Sequence, residues 1–315
     1  MTAGLLTLAL VRTLPLAKPL SEGLPCHLAA GSGLTRVANA LHIIADDALD
    51  VAVFKADAPN EEGQLYRLFQ RPPLPQDHKE RKKLKPDLES ASVLWQGDQA
   101  YWVALGSGSS EARMRGVCVS LDEQGQPSSS VEFGLEPLYQ SLQQRFPDLN
   151  IEGMAPVIRD GRLRLAQRGN SSLAQNALID LDLRQALDRA RQGQSWGPEL
   201  VQQIKPLQLP SLPGSQGPVP LTITDLTPLD DSRCLFTAAA EDTDNPYDDG
   251  QVLGSHIGVI EADGTVSRID PVDLPVKLEG ICLNGRDGEK IQALVVTDGD
   301  NPEESASVYE TWLIP

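Results

Sequence analysis

Acidic residues recur at one position of a repeated sequence pattern, and their side chains are the best suited in the chain to do chemistry. Glu-Gly pairs lie just inside apolar stretches at Glu152 and Glu279, and a Glu-Ser pair lies at Glu89. Two looser copies place Asp225 and Ser32 at the same position. Carboxylates that converge repel one another unless a cation neutralises them, and hard cations such as Ca²⁺ or Mg²⁺ accept such oxygen ligands. The pattern therefore predicts a divalent-metal site formed by Glu89, Glu152, Asp225 and Glu279.

Two other interpretations of these acids remain open from the sequence. Arg113, Arg115 and Arg168 would neutralise the carboxylates if the side chains pair, and no metal would then be needed. Alternatively, Arg168 and Arg113 would hold an organic anion beside the acids, because a guanidinium donates two parallel hydrogen bonds to a carboxylate or phosphate. The segment GSGSS at 106–110 lacks the Lys and the spacing of a P-loop. A turn is the simpler interpretation of this segment. Alternatively, its hydroxyl groups face the same channel mouth, with Ser109 at the ligand site.

The spacing of the repeated position predicts the fold that brings these residues together. Successive copies are 57, 63, 73 and 54 residues apart, and the string Asp-x-Asp-Asn-Pro occurs at both Asp242–Pro246 and Asp298–Pro302. Repeats of about 56 residues are long enough for four-stranded propeller blades. The Asp-x-Asp-Asn-Pro strings do not match a calcium loop, because a proline stands at the third ligand position, and a role in turns is the simpler interpretation.

We therefore predict one all-β domain over residues 1–315, folded as a five-bladed β-propeller. The N-terminal segment Leu5–Leu16 would supply the outer strand of the last blade and close the ring. Glu136–Phe146 and Leu183–Arg191 have apolar residues three or four positions apart and are predicted to be short helical insertions. A sixth blade within residues 122–149 or 186–218 is the structural alternative.

Composition excludes several classes of function. The formal net charge of −17 opposes nucleic-acid binding, which relies on Lys and Arg at phosphates. The basic segment His78–Lys85 is interpreted as a solvated loop. No apolar run approaches the ~20 residues that cross a bilayer, and the apolar run Leu5–Val11 has no basic residue before it. Four scattered cysteines indicate reduced thiols. We expect a cytoplasmic protein with no membrane partner.

Several short motifs together carry a resemblance to a known group: PDLES from Pro86, LGSGSS from Leu105, NIEGM from Asn150, QRGN from Gln167, and LEG followed by VVTDGD toward the C-terminus. This combination resembles bacterial β-propeller proteins of the esterase-like phytase group. The resemblance implies that Glu89, Glu152 and Glu279 lie at the central channel with Arg168 beside them. It also implies a divalent metal at the centre, with calcium as the expected ion.

Two functions follow from this sequence as hypotheses. The first is a binding or scaffold module whose metal neutralises an acidic channel, with a small anionic ligand or none. The alternative is a metal-dependent hydrolase of phosphate or carboxylate esters, in which the cation polarises the substrate and activates a water molecule. The histidines show no metal-ligand spacing and no complete catalytic constellation is present, which favours the binding module. The oligomeric state stays open.

Overall fold

Five antiparallel sheets of four strands each form the blades of a β-propeller in the computed structural model. The structure describes residues 4–21, 23–75, 77–169, 175–242, 251–299, 301 and 303–315. The innermost strand of each blade contacts the innermost strands of the two neighbouring blades, so that five strands surround a central axis. The prediction of a five-bladed, mostly β fold is confirmed.

Each of the first four blades follows the chain from the axis outward. Blade 1 comprises β2 (Gly33–Val37), β3 (Ala40–Ile44), β4 (Asp50–Lys55) and β5 (Gln64–Arg67). Blade 2 comprises β6 (Leu88–Gln96), β7 (Gln99–Gly106), β8 (Arg115–Leu121) and β9 (Pro127–Gly134). Blade 3 comprises β10 (Ile151–Val157), β11 (Arg162–Gln167), β12 (Ala177–Asp182) and β13 (Val201–Pro206). Blade 4 comprises β16 (Thr222–Pro228), β17 (Cys234–Asp242), β18 (Gln251–Ile260) and β19 (Val266–Pro271).

Blade 5 combines the two ends of the chain. It comprises β20 (Lys277–Asp287), β21 (Lys290–Asp298), β22 (Ser307–Leu313) and β1 (Ala9–Thr13). Strand β1 pairs antiparallel with β22, with Ala9 opposite Glu310 and Thr13 opposite Ser307. The N-terminal segment therefore closes the ring as the sequence predicts, and the outer edge of β22 is paired rather than open.

Tight turns join the first and second strands of the blades. Gly97, Gly161 and Gly288 occupy these turns in blades 2, 3 and 5 with φ of +58°, +64° and +59°, a left-handed conformation that favours glycine. Blade 4 uses an aspartate instead, because Asp230 Oδ1 accepts hydrogen bonds from the backbone amides of Ser232 (2.9 Å) and Arg233 (2.8 Å). These glycine and aspartate residues thus mark the turns that end the first strands of blades 2 to 5.

Besides the blades, the described residues form three α-helices and one short hairpin. Helices α2 (Glu136–Gln143) and α3 (Leu183–Arg191) confirm the predicted insertions. The short hairpin β14 (Ser211–Pro213) and β15 (Pro218–Pro220) precedes blade 4. Neither residues 122–149 nor residues 186–218 hold a sixth blade. None of the described helices is long and apolar enough to cross a bilayer.

The basic segment is not a solvated loop, and that prediction was wrong. It forms helix α1 (His78–Leu84), whose N-cap residue Asp77 accepts a hydrogen bond from the Glu80 amide at 2.9 Å. Arg81 pairs with Asp47 at 3.0 Å, and Lys85 pairs with Asp46. Because these cations contact acids at the tip of β3, the helix is tied to blade 1.

The hydrophobic core lies between the blades. Apolar side chains from facing sheets pack in five clusters, one between each pair of neighbouring blades. Trp102 lies between blades 1 and 2, and Trp196 lies between blades 2 and 3. All four cysteines are free, and Cys118, Cys234 and Cys282 are buried. The interior is therefore built by burial of apolar surface rather than by disulfides.

Candidate functional site

Three glutamates occupy equivalent β-bulges near the starts of inner strands. In blade 2, Leu88 is opposite Gly106 and Ser90 is opposite Leu105, so that Glu89 is an extra residue in the ladder. The same irregularity occurs at Glu152 in blade 3 and at Glu279 in blade 5. A bulge redirects the side chain of the extra residue. The repeated glutamates thus share one structural position, at the same end of the channel.

In blade 4 the bulge occupies Thr224, one residue before the aspartate that the sequence alignment placed there. The Thr224 hydroxyl donates to the carbonyl of Leu278 at 2.6 Å. Asp225 is buried, and its carboxylate accepts backbone hydrogen bonds from Leu226 (2.7 Å) and Ile281 (2.8 Å). The two Asp225 oxygens therefore link the inner strands of blades 4 and 5. A metal-binding role for Asp225 stays a prediction.

Arg168, at the end of β11, is the hub of a buried ion-pair cluster. Its guanidinium pairs with Glu241, and its Nη1 lies 3.5 Å from Glu152 Oε1 and 3.9 Å from Glu279 Oε1. The Lys277 ammonium lies 2.9 Å from Glu279 Oε1 and 3.2 Å from Glu241 Oε1. Glu152 and Glu279 are thus paired with basic side chains, as one interpretation of the sequence requires.

Burial and mutual repulsion shift the acidities within this cluster. Burial raises the pKa of Glu152 to about 8, because the opposing attraction of Arg168 is partly cancelled by Glu279. Burial also favours the neutral form of Glu241, but Arg168 and Lys277 together hold its pKa below the ordinary value. Two neighbouring glutamates therefore differ in protonation near neutral pH.

A second group of charges surrounds Asp87, two residues before Glu89. The Asp87 carboxylate lies 2.8 Å from Lys85 Nζ and 2.8 Å from Arg113 Nη1, and it accepts a hydrogen bond from the Ser107 hydroxyl at 2.5 Å. Lys85 also pairs with Asp46 at the tip of β3. Asp87 is buried and has φ of +53°, an uncommon backbone conformation for a residue other than glycine.

The predicted anion-binding residues Arg113 and Ser109 contact each other beside this group. Arg113 Nη1 donates to the Ser109 hydroxyl at 2.7 Å, and the hydroxyls of Ser107 and Ser109 are 3.0 Å apart. Tyr139 holds the loop from outside, because its hydroxyl donates to the carbonyl of Gly106 at 2.9 Å. The serine-rich segment therefore faces Asp87, and its role toward a ligand stays a prediction.

Glu89 is the glutamate of the three bulges that lacks a basic partner among the described residues. Among the described residues, no hydrogen bond or ion pair reaches its carboxylate, and its side chain is partly exposed. Carboxylate oxygens of Asp46, Asp87 and Glu89 lie within 4.8 Å of one another. Burial raises the pKa of Glu89, and the charges of Asp87, Glu152 and Asp46 raise it further, against the opposing effect of Lys85. This local excess of negative charge would favour a bound cation.

A second repeated position, two residues before each bulge, was not among the predicted site residues. In blades 2 to 5 it holds polar side chains, and each reaches the site: Asp87, Asn150, Thr222 and Lys277. The Asn150 amide nitrogen donates to Glu152 Oε1 at 2.5 Å, and the Thr222 hydroxyl accepts from Arg168 Nε at 3.1 Å. In blades 2, 3 and 5 the common offset of these residues from Glu89, Glu152 and Glu279 was a signal available in the sequence.

The duplicated Asp-x-Asp-Asn-Pro strings contribute little to the described site. Residues 243–246, 300 and 302 lie outside the part of the chain that the structure describes, so the proposed turns stay a prediction. The Asp242 carboxylate accepts a hydrogen bond from the amide of Ser215 at 2.8 Å. That contact joins the tip of β17 to the loop between β14 and β15.

Solved β-propeller structures resemble the chain only distantly. The WD40 domain of Neurospora crassa Pan2 has 11% identity and a TM-score of 0.40 over 98% of this chain and 95% of that one. A mutant alpha-L-arabinanase from Cellvibrio cellulosa has 11% identity and a TM-score of 0.46, over 90% and 91%. A member of the duf4221 family from Bacteroides vulgatus has 12% identity and a TM-score of 0.39, over 100% and 99%. Likenesses this weak say nothing about activity.

Sequence comparisons assign the family. A search of curated proteins found no match, so the esterase-like phytase group that the motifs resemble is not supported there. A family model described as a family of unknown function, DUF6929, matches residues 27–313. This match covers all five inner strands and with them the charged end of the channel. The chain therefore belongs to the DUF6929 family.

Proposed function

We propose that this protein is a non-catalytic binding module that holds a calcium ion at the charged end of its channel. The observation that carries the proposal is the carboxylate of Glu89, which lacks a basic partner among the described residues and lies within 4.8 Å of carboxylates from Asp46 and Asp87. Calcium accepts six to eight oxygen ligands in flexible geometry, so three carboxylates completed by water would suit it.

The division of charge explains why the ion would bind at Glu89. Glu152 and Glu279 already lie beside Arg168 and Lys277, so they are less available as ligands for the ion. Among the described residues, two basic groups, Lys85 and Arg113, face the three carboxylates of Asp46, Asp87 and Glu89. Lys85 contacts Asp46 and Asp87, so it would compete with the ion for their oxygens.

Calorimetric titration with CaCl₂ tests this proposal. The native protein should bind one ion, and Glu89→Gln should lose that binding while it keeps the native thermal midpoint without calcium. Glu199→Gln is the matched control, because that glutamate pairs with Arg189 at the surface and its side chain is 52% exposed. Equal calcium affinities of the native protein and Glu89→Gln, or no binding to either, would refute the assignment.

Metal-dependent hydrolysis of a phosphate or carboxylate ester is the second candidate, favoured by the acidity of Glu152. A carboxyl group with a pKa of about 8 is partly protonated at neutral pH and is suited to transfer a proton. Arg113 and Ser109 would then hold the anionic group of the substrate. Ester panels with added Ca²⁺, Mg²⁺ or Mn²⁺ should show turnover that Glu152→Gln abolishes; background rates throughout would exclude this candidate.

The free cysteines support a reducing compartment as the place of action. Cys118, Cys234 and Cys282 are buried as thiols, and burial raises the pKa of each to about 12, so that they are unreactive. We therefore propose a cytoplasmic location, to be checked by fractionation of cells that produce the protein. Recovery in an extracellular or envelope fraction would contradict it.

A further inference from the structure

The end of the channel opposite the glutamates holds a cavity of about 1050 Å³. Four of the five inner strands contribute to its wall, through Thr35 of β2, Ser92 of β6, Thr227 of β16 and Cys282 of β20. Because strands rise about 3.3 Å per residue, Trp95 at its rim lies roughly 20 Å along β6 from Glu89. The cavity is therefore separate from the proposed calcium site.

Two residues of the wall, Ser92 and Thr227, present hydroxyl groups that have no hydrogen-bond partner among the described residues. Ser92 is 2% exposed and Thr227 is 9% exposed, and both line the cavity. No described residue forms a hydrogen bond with either hydroxyl, although the neighbouring Thr35 accepts one from the Trp102 indole at 2.9 Å. Both hydroxyls are therefore open to the cavity, where a bound molecule could hydrogen-bond with them.

The rim combines an exposed aromatic ring with unpaired acids. Trp95 is 58% exposed, which is unusual for a large aromatic side chain. Asp98 and Glu123 line the same cavity and form no ion pair with any residue that the structure describes. Arg36 is the one basic residue of the described wall, and its guanidinium donates to the carbonyls of Asn284 (3.0 Å) and Ala38 (3.3 Å).

We propose that this cavity binds a small organic cation. Its ammonium group would lie against the face of Trp95 and near the carboxylates of Asp98 and Glu123. The face of an aromatic ring attracts a cation, and the attraction is stronger where water is excluded. A hydroxyl or N–H group at the other end of the ligand would pair with Ser92 or Thr227. A cavity of this volume suits a small molecule, and the formal net charge of −17 attracts cations.

Fluorescence titration with choline and spermidine tests the inference directly. Trp102 and Trp196 are buried at 1% and 0% exposure, so in a Trp312→Phe background Trp95 is the exposed reporter. At least one of the two cations should cause a saturable change in emission. The neutral isostere 3,3-dimethylbutanol should bind at least about tenfold more weakly than choline if choline binds. The proposal would be overturned if neither cation bound, or if the isostere and choline bound equally well.

Calorimetry on variants then assigns the contacts. Trp95→Leu should weaken cation binding about tenfold, and the double change of Asp98→Asn with Glu123→Gln should also weaken it. Glu199→Gln, which removes an exposed acid elsewhere, is the control for a general loss of charge. Affinity that is unchanged by Trp95→Leu would refute the site. Binding of the organic cation should persist in the presence of a chelator. A failure of this proposal can therefore be distinguished from a failure of the calcium proposal.

Discussion

Replacement of Glu152 by glutamine should make the protein less sensitive to alkaline pH. Burial raises the pKa of this carboxyl from 4.5 to about 8 in the folded protein, although Arg168 lies 3.5 Å away. In the native protein the Asn150 amide nitrogen donates to Glu152 Oε1 at 2.5 Å. Glutamine keeps the side-chain length and an oxygen that can accept this hydrogen bond. It removes only the charge that the buried site disfavours.

The sign and size of the effect follow from proton linkage. Because the folded-state pKa is the higher one, the favourable contribution is complete below pH 4.5 and is lost as pH rises through about 8. Between these limits the folded state binds one more proton than the unfolded state, which costs about 1.4 kcal/mol of stability per pH unit. Allowing for local relaxation, we expect a loss of roughly 3 kcal/mol between pH 5 and pH 8 from this group alone.

Urea unfolding of the native protein and of Glu152→Gln at pH 5, 6, 7 and 8 measures this contribution. The two proteins should be about equally stable at pH 5, and the variant should be more stable by roughly 3 kcal/mol at pH 8. Glu199→Gln should follow the native pH profile, because its side chain is 52% exposed. A difference between native protein and Glu152→Gln that is constant with pH would refute the assignment of a raised pKa.

Two further predictions test the packing around the axis. Asp225→Ala should lower the free energy of unfolding by about 2–4 kcal/mol, because the buried amides of Leu226 and Ile281 lose their acceptor. Urea unfolding measures this loss, and a change under about 1 kcal/mol would contradict the prediction. Gly153→Ala should cost at least about 2 kcal/mol in the same assay, since its Cβ would lie 2.7 Å from the backbone nitrogen of Leu226. Gly299→Ala should be neutral, because no described atom lies within 4 Å of the new Cβ. Equal effects of the two substitutions would contradict the steric explanation.

The arrangement of strands could be predicted from sequence because each blade repeats the same order of signals. Apolar runs of strand length end at turn residues, and the N-terminal segment was a strand with no other place in a blade. The strands of all five blades follow this order in the structure. Local periodicity and spacing were sufficient, because all five units use them.

Two features depend on contacts that local sequence does not display. Helix α1 has no apolar face, so its charged residues suggested a loop, whereas Lys85 and Arg81 bind acids at the tip of β3. In blade 4 the alignment chose Asp225 because it is acidic, but the bulge falls on Thr224. A bulge inserts a single residue into one strand, and that shift is fixed by pairing with the neighbouring strand.

The bulge position and the position two residues before it together decide where the channel end is available to a ligand. In blades 3 to 5, Arg168 and Lys277 reach the acids of several strands, so Glu152, Glu241 and Glu279 each contact a basic group. In blade 2 both positions are acidic, and the nearest basic groups contact Asp87 rather than Glu89. The channel end is therefore asymmetric although the repeat is regular. A cation would be drawn to the side of blades 1 and 2, which makes Glu89 the most informative single substitution at this end.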